Sequence, residues 1–222
     1  MNYQFDFGAI ISSWPELLEG CWLTLWLSAV SMMLGLGVAI VIVLAKRNGI
    51  AALRFVASSF VEIIRNTPFL VQVFFVFFGL PALGVSLTAG TAAIFALGLN
   101  CGAFSAEIIR GGVEAVPRGQ SEAGAALGLR PFQVLQYIIL RPAFRTIYPA
   151  LSGQFILLLL TSSIVSSISA EELTSVAQRL ESTTFRSFEI YSTVTLLYLA
   201  MSMVFAMTFK FIGRCYFSYP VK

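Results

Sequence analysis

Histidine is absent from this 222-residue chain, and charge of either sign is scarce: 14 Lys and Arg against 11 Asp and Glu, together 11% of residues. Ordinary globular domains carry about 25% charged residues, so this composition does not suit a water-soluble fold. Without histidine the chain lacks the commonest general base, the usual partner of a serine or cysteine nucleophile, and the commonest metal ligand. Cys21, Cys101 and Cys215 stand apart with no paired spacing and read as small hydrophobes rather than disulfides or metal ligands. No Gly-x-x-x-x-Gly-Lys-Ser/Thr loop occurs, which excludes nucleotide binding by a P-loop on this chain. No basic stretch precedes the first apolar run, so no cleavable signal is expected. Internal repeats and low-complexity linkers are also missing.

What is present is apolar sequence in long blocks: 58% hydrophobic residues and a mean hydropathy of +0.86. Blocks of this length read as membrane spans. The chain is therefore expected to be an all-α membrane protein, one transmembrane unit over 1–222. Its five spans are expected at about 17–45, 53–81, 87–109, 147–168 and 190–212. The second is interrupted by Glu62, Arg65 and Pro68. Basic residues alternate between connections: Lys46, Arg47 and Arg54 in the first, then Arg110, Arg118, Arg130, Arg141 and Arg145 in the third, and Lys210, Arg214 and Lys222 at the end. The other segments are uncharged or rich in glutamate. The lysine and arginine bias then puts the N-terminus outside, the C-terminus inside and the third connection in the cytoplasm.

That connection, about 113–142, reads as a helix–turn–helix elbow. Pro117-Arg118-Gly119 is a breaker cluster. Ser121 is expected to cap the next helix, with Glu122 in its first turn, where a carboxylate suits the helix dipole. Ala123, Gly124, Ala125 and Ala126 make that helix thin enough for another protein's surface to approach its backbone. Gly128 supplies a stop. Pro131 opens a second short helix through about Ile139, with Phe132, Leu135 and Ile139 as its apolar face. From composition alone, an elbow lying on the lipid surface is the alternative.

Several segments together resemble one family. Glu122-Ala123-Gly124, Gly128 and Ile138-Ile139-Leu140 resemble the EAA loop of ABC importer permeases. Glu62-Ile63-Ile64-Arg65-Asn66-Thr67-Pro68-Phe69-Leu70-Val71-Gln72, Gly102-Ala103-Phe104-Ser105-Ala106-Glu107-Ile108-Ile109-Arg110-Gly111-Gly112 and Pro117-Arg118-Gly119-Gln120 resemble the polar amino-acid branch, the histidine, glutamine and arginine permease type. The resemblance implies a translocation subunit in a bacterial inner membrane, with no cofactor of its own. ATP and magnesium would sit on a cytoplasmic ABC ATPase dimer docked at Gly119, Gln120, Glu122, Ala123, Gly124, Ala126 and Gly128. It further implies a second permease subunit, identical or paralogous, an extracytoplasmic amino-acid-binding protein, an amino-acid substrate, surrounding lipid and no nucleic acid. Two positions depart from the family pattern: Leu140-Arg141-Pro142 moves the loop proline by one place, and Leu160 replaces a frequent basic residue before Thr161-Ser162-Ser163-Ile164.

Ionisable groups inside spans are costly and point to function. Candidates for the substrate path are Glu62 and Arg65, three residues apart and able to pair, and Thr67-Pro68, a break in the hydrogen-bond ladder. Asn100 at mid-span is a further candidate, or else a link between helices. Thr161, Ser162, Ser163, Ser166 and Ser167 form a hydroxyl-rich segment that either lines the path or bonds back to its own helix. Glu107 and Arg110 are expected to form an interfacial pair, and Phe74, Phe75, Phe77 and Phe78 to face lipid or pack. Three rivals stand beside this reading, the weakest being a non-transporting sensor that keeps the elbow to touch an ATPase. An ion-coupled secondary transporter predicts repeats that are not seen, and an intramembrane hydrolase would need a base, yet Lys46 and Lys210 lie at membrane edges.

Overall fold

The computed structural model describes residues 5–47 and 49–216, which are helical with no strand among them. Lys222, counted above with the inner cations, lies outside those residues. Four helices are long and apolar enough to cross a membrane unbroken: Trp14–Arg47, Ala89–Glu114, Pro142–Ile168 and Ser187–Tyr216. Two further pieces, Ala51–Arg65 and Phe69–Ala82, bent by 115° at the break between them, are together long and apolar enough to serve as a fifth, broken span. In chain order these are the first, third, fourth, fifth and (broken) second spans. The 34-residue first helix is about 50 Å long at 1.5 Å per residue, more than a ~30 Å hydrocarbon core requires.

The first and third spans share the most extensive contact in the molecule. Small residues make it possible. Ser28, Ser31, Gly35 and Ala39 are buried along the first helix, with Gly35 set against Gly98 and Cys101. The third buries Ala92, Ala93, Ala96, Gly98, Gly102, Ala103 and Ala106. Without a hydrophobic force between helices in lipid, close van der Waals packing is what joins them. An outer core gathers Leu27, Val73, Val76, Leu97, Phe155 and Val165, and an inner one Ala39, Ile42, Ala57, Val61 and Ala106.

Two segments differ from the sequence expectations. The helix opened by Pro131 does not end near Ile139. It passes through a π turn, Val134–Ile139, and continues as Leu140–Thr161 and the 3-10 turn Ser162–Ile168. Pro142 is tolerated because the π turn interrupts the α ladder, leaving Pro142 in the first turn of the resumed helix, where a missing N–H costs least. The glutamate-rich connection before the fifth span also holds a helix, Leu173–Thr184, not anticipated above. Its cap is the buried Glu172, whose carboxylate accepts from the Thr174 and Ser175 amides at 2.9 and 2.7 Å and from Tyr198 Oη at 2.6 Å. Burial pushes that carboxyl above its ordinary range. Leu173, Val176, Ala177 and Leu180 then pack on Leu17, Ile190 and Val194. The Leu173 amide donates to Thr24 Oγ1 at 3.0 Å, tying the outer helix to the first span.

Gly112 marks the closest approach of the third span to the fourth. A Cβ there would stand 2.1 Å from Ile147 Cγ1, whereas one on neighbouring Gly111 would meet nothing within 4 Å. Gly112→Ala should therefore lower thermal stability in detergent by about 1–3 kcal/mol, the usual cost of overpacking. Gly111→Ala should be neutral or slightly stabilising through helix propensity. Equal melting curves for the two variants would rule out this close contact.

Candidate functional site

The elbow helix is Arg118–Ala126. Ser121 does not cap it; Pro117 occupies the cap position with an extended ψ of 133°, and its carbonyl accepts from the Gln120 amide at 3.0 Å. Glu122 consequently falls beyond the first turn. Gly128 does end the helix. At φ +78° its amide reaches the Ala125 carbonyl at 3.0 Å, and the Leu129 amide reaches that of Gly124 at 3.2 Å, a Schellman closure.

Pro131 opens the next helix, and Gln133 Oε1 accepts from the Arg130 amide at 2.9 Å. The face turned towards the elbow helix is Val134 and Ile138, not Phe132, Leu135 and Ile139; Phe132 is 70% exposed. The reason is Gly124, which is buried. A Cβ there would sit 2.4 Å from Ile138 Cδ1 and 3.3 Å from Val134 Cγ2. Gly124 thus serves contact inside the elbow. Gly119, Gln120, Glu122, Ala123, Ala126, Leu127 and Gly128 are exposed.

At the root of the elbow, Glu107 binds Lys46 Nζ at 2.6 Å and Arg110 at 2.8 Å, and Arg110 also binds Glu114 at 2.5 Å. The expected Glu107–Arg110 pair is therefore part of a four-residue network pinning the third span to the end of the first.

In the membrane half of the site, Glu62 and Arg65 do not pair with each other. Arg65 lies over the Phe104 ring, 5.4 Å from its centroid. Both line a cleft of about 430 Å³ with Lys46, Arg54, Ser58, Glu107 and Arg110. The polar face of Ala51–Arg65 carries Arg54, Ser58, Glu62 and Arg65, so one helix supplies half of this cleft.

The break above it is organised by Gln72, which ends the second-span motif quoted above and was given no role there. Pro68 has no N–H to offer Ile64, its partner four residues earlier. Gln72 Nε2 takes that place, donating to the Ile64 carbonyl at 2.7 Å and to the Thr67 carbonyl and Oγ1 at 3.1 and 2.9 Å. Thr67 Oγ1 donates in turn to the Ile63 carbonyl at 2.8 Å. The other end of the amide, Gln72 Oε1, accepts from Asn100 Nδ2 at 2.9 Å. Thr67, Pro68 and Asn100 are thus brought together, through Gln72. The only signal in sequence was a Gln four residues beyond a Pro in an otherwise apolar run.

In the hydroxyl segment, Ser162, Ser163, Ser166 and Ser167 each donate to the carbonyl three residues earlier, at 2.7–2.8 Å. Their protons serve the 3-10 turn, and Ser162 is fully buried. Thr161 precedes the turn, half-buried. Of the four phenylalanines, Phe74, Phe75 and Phe78 are exposed, and Phe77 packs against the outer core.

Residues 31–215 match the profile described as binding-protein-dependent transport system inner membrane component. The chain belongs to this family. Among relatives of the permease, the glutamine transport system permease protein GlnP of Escherichia coli is 36% identical over 213 residues, covering 95% of this chain and 97% of that protein. The L-cystine transport system permease protein TcyB of Bacillus subtilis is 40% identical over 169 residues, covering 76% and 72%. The crystal structure of an amino acid ABC transporter with histidines superposes with a TM-score of 0.90 at 36% identity, covering 96% of the permease and 99% of that chain. The chain is thus a membrane-spanning translocation subunit of an ABC transporter.

Replacing Gln72 by Leu should strand the Asn100 amide and the Ile64 carbonyl, at a cost of about 1–3 kcal/mol in detergent melts. Adding Asn100→Leu should cost less than the sum of the single changes, by about 1 kcal/mol, because the second change removes an already unpaired group. Strictly additive costs would show that the two amides do not act together.

Proposed function

We propose that this permease forms the translocation path of an ATP-driven importer of polar amino acids. ATP and magnesium are bound and spent on separate cytoplasmic ATPase subunits, which dock on the exposed side of the elbow. The observation that carries the docking role is the division of labour within Arg118–Ala126: Gly124 faces inward, while Glu122, Ala123, Ala126 and Leu127 face solvent. Leu127 is 81% exposed, an apolar anchor on a thin helix. A second permease subunit, identical or paralogous, completes the path, and an extracytoplasmic binding protein delivers the substrate. Similarity to permeases named for glutamine, cystine and arginine supports the substrate class.

Glu62 and Arg65 contribute to an inner vestibule whose mixed charge suits a zwitterion. Thr67, Pro68 and Asn100 hold the broken span open beside it. Thr161, Ser163 and Ser167 offer hydroxyl lone pairs as acceptors for a substrate ammonium, their protons being used within the helix. Ser162 and Ser166 stiffen the same turn.

Two experiments test the halves of this reading. Ala126→Trp, which adds bulk to the exposed face, and Gly128→Pro, which cannot adopt φ +78°, should each abolish co-purification of the ATPase while membrane insertion is unchanged. Retained ATPase in both would remove the docking role. In proteoliposomes, Thr161→Val with Ser163→Val should raise the KM of ATP-dependent uptake several-fold without loss of assembled complex. Unaltered kinetics would return those hydroxyls to packing.

A further inference from the structure

A groove lies away from the elbow and the broken span, between the inner ends of the fourth and fifth spans. It encloses about 630 Å³. Arg145 from the fourth span and Lys210 and Arg214 from the fifth converge on it, and among the described residues its lining contains no carboxylate. Among the described residues none of the three cations has an ion-pair partner, whereas Lys46 and Arg110 nearby are paired. The helix dipole explains basic residues near the end of the fifth helix, but Arg145 lies in the body of its own.

The walls are apolar. Tyr148, Pro149, Ile156 and Phe209 face the groove, and Gly153 and Gly213 leave room between them. Tyr148 Oη donates to the Phe209 carbonyl at 2.8 Å, closing the back of the groove by joining the two spans. On both sides the surface continues as exposed apolar side chains, Phe144 and Leu157 on one helix and Val204, Met207 and Phe211 on the other. The fifth helix, 30 residues long, extends about 45 Å against a ~30 Å hydrocarbon core. Its last turns, with Lys210 and Arg214, therefore reach headgroup depth on the cytoplasmic side.

From this arrangement we propose that the groove binds an anionic phospholipid of the cytoplasmic leaflet, its headgroup phosphate held by Arg145, Lys210 and Arg214 and its acyl chains lying along Tyr148, Ile156 and Phe209. Basic pockets between spans on this side of a membrane are suited to anionic headgroups. A hydrophilic cargo would gain nothing from these walls, and a free phosphate would leave them wet.

The test is native mass spectrometry of the full chain, with whatever assembles on it, extracted in mild detergent and offered phosphatidylglycerol or phosphatidylcholine. Phosphatidylglycerol should be retained preferentially. Retention should fall about a hundredfold in a variant combining Arg145→Gln, Lys210→Gln and Arg214→Gln, at roughly fivefold per cation. Should that variant not assemble, the wild-type protein carries the test alone, since its preference for phosphatidylglycerol should decline with added salt. Equal retention of the two lipids, or displacement of phosphatidylglycerol by millimolar inorganic phosphate, would overturn the proposal. Efficient disulfide cross-linking between two copies bearing Gly153→Cys would overturn it too, because the groove would then be covered by a second copy.

Discussion

One side-chain amide carries the backbone through the weakest point of this fold. In hydrocarbon no water can replace a lost backbone hydrogen bond, so an unsatisfied group there is costly. Pro68 creates such a loss at Ile64, and Gln72 makes it good while also holding Asn100 of the third span. The 115° bend, the inclined polar helix before it and the charged cleft beneath it all depend on that substitution of a side-chain donor for a backbone one. Around this point the protein is rigid by close packing. The seam between the first and third spans leaves no room for larger side chains.

The cytoplasmic end is organised by the same economy of space and hydrogen bonds. Gly124 lets the elbow helix lie against Val134 and Ile138, and Gly128 turns the chain back. The Glu107 network fastens the third span just before the elbow begins. The exposed Ala/Glu helix is joined, by the Gly128 turn and by the packing of Gly124 on Val134 and Ile138, to the second half of the elbow, which is the beginning of the fourth span. Its far end is the 3-10 turn of the serines, closed by Ser169 in the left-handed region at φ 59°.

Most of the architecture was legible because the bilayer writes it as hydrophobic length and arginine bias. The five crossings, the elbow, the glycine stop at Gly128 and the Glu107–Arg110 pair all follow from local rules. The misreadings share a cause. Assigning Ser121 as a cap, placing Phe132 on the packed face and ending the helix at Ile139 each applied a local rule where a tertiary contact or a π turn decided otherwise. Glu62 and Arg65 stand three apart, yet each faces groups brought by other helices. The role of Gln72, though the residue stands in the second-span motif, was unreadable for the same reason: it lies in an acceptor eight residues back and a donor on another span. The helix capped by Glu172 could have been found, from Ser175 three residues on and apolar positions at 173, 176, 177 and 180.

The bridge between Gln72 and Asn100 also bears on how the protein is made. Its two ends are 28 residues apart, so the second span leaves the ribosome before its partner exists. At 5–20 residues per second the interval is roughly one to six seconds. During that time the Nε2 end of the Gln72 amide has its acceptors at Ile64 and Thr67 within the same span, while Oε1 awaits the donor from Asn100. The bridge therefore closes only after the third span has been made, and the bend at Pro68 is completed across two spans, not within one.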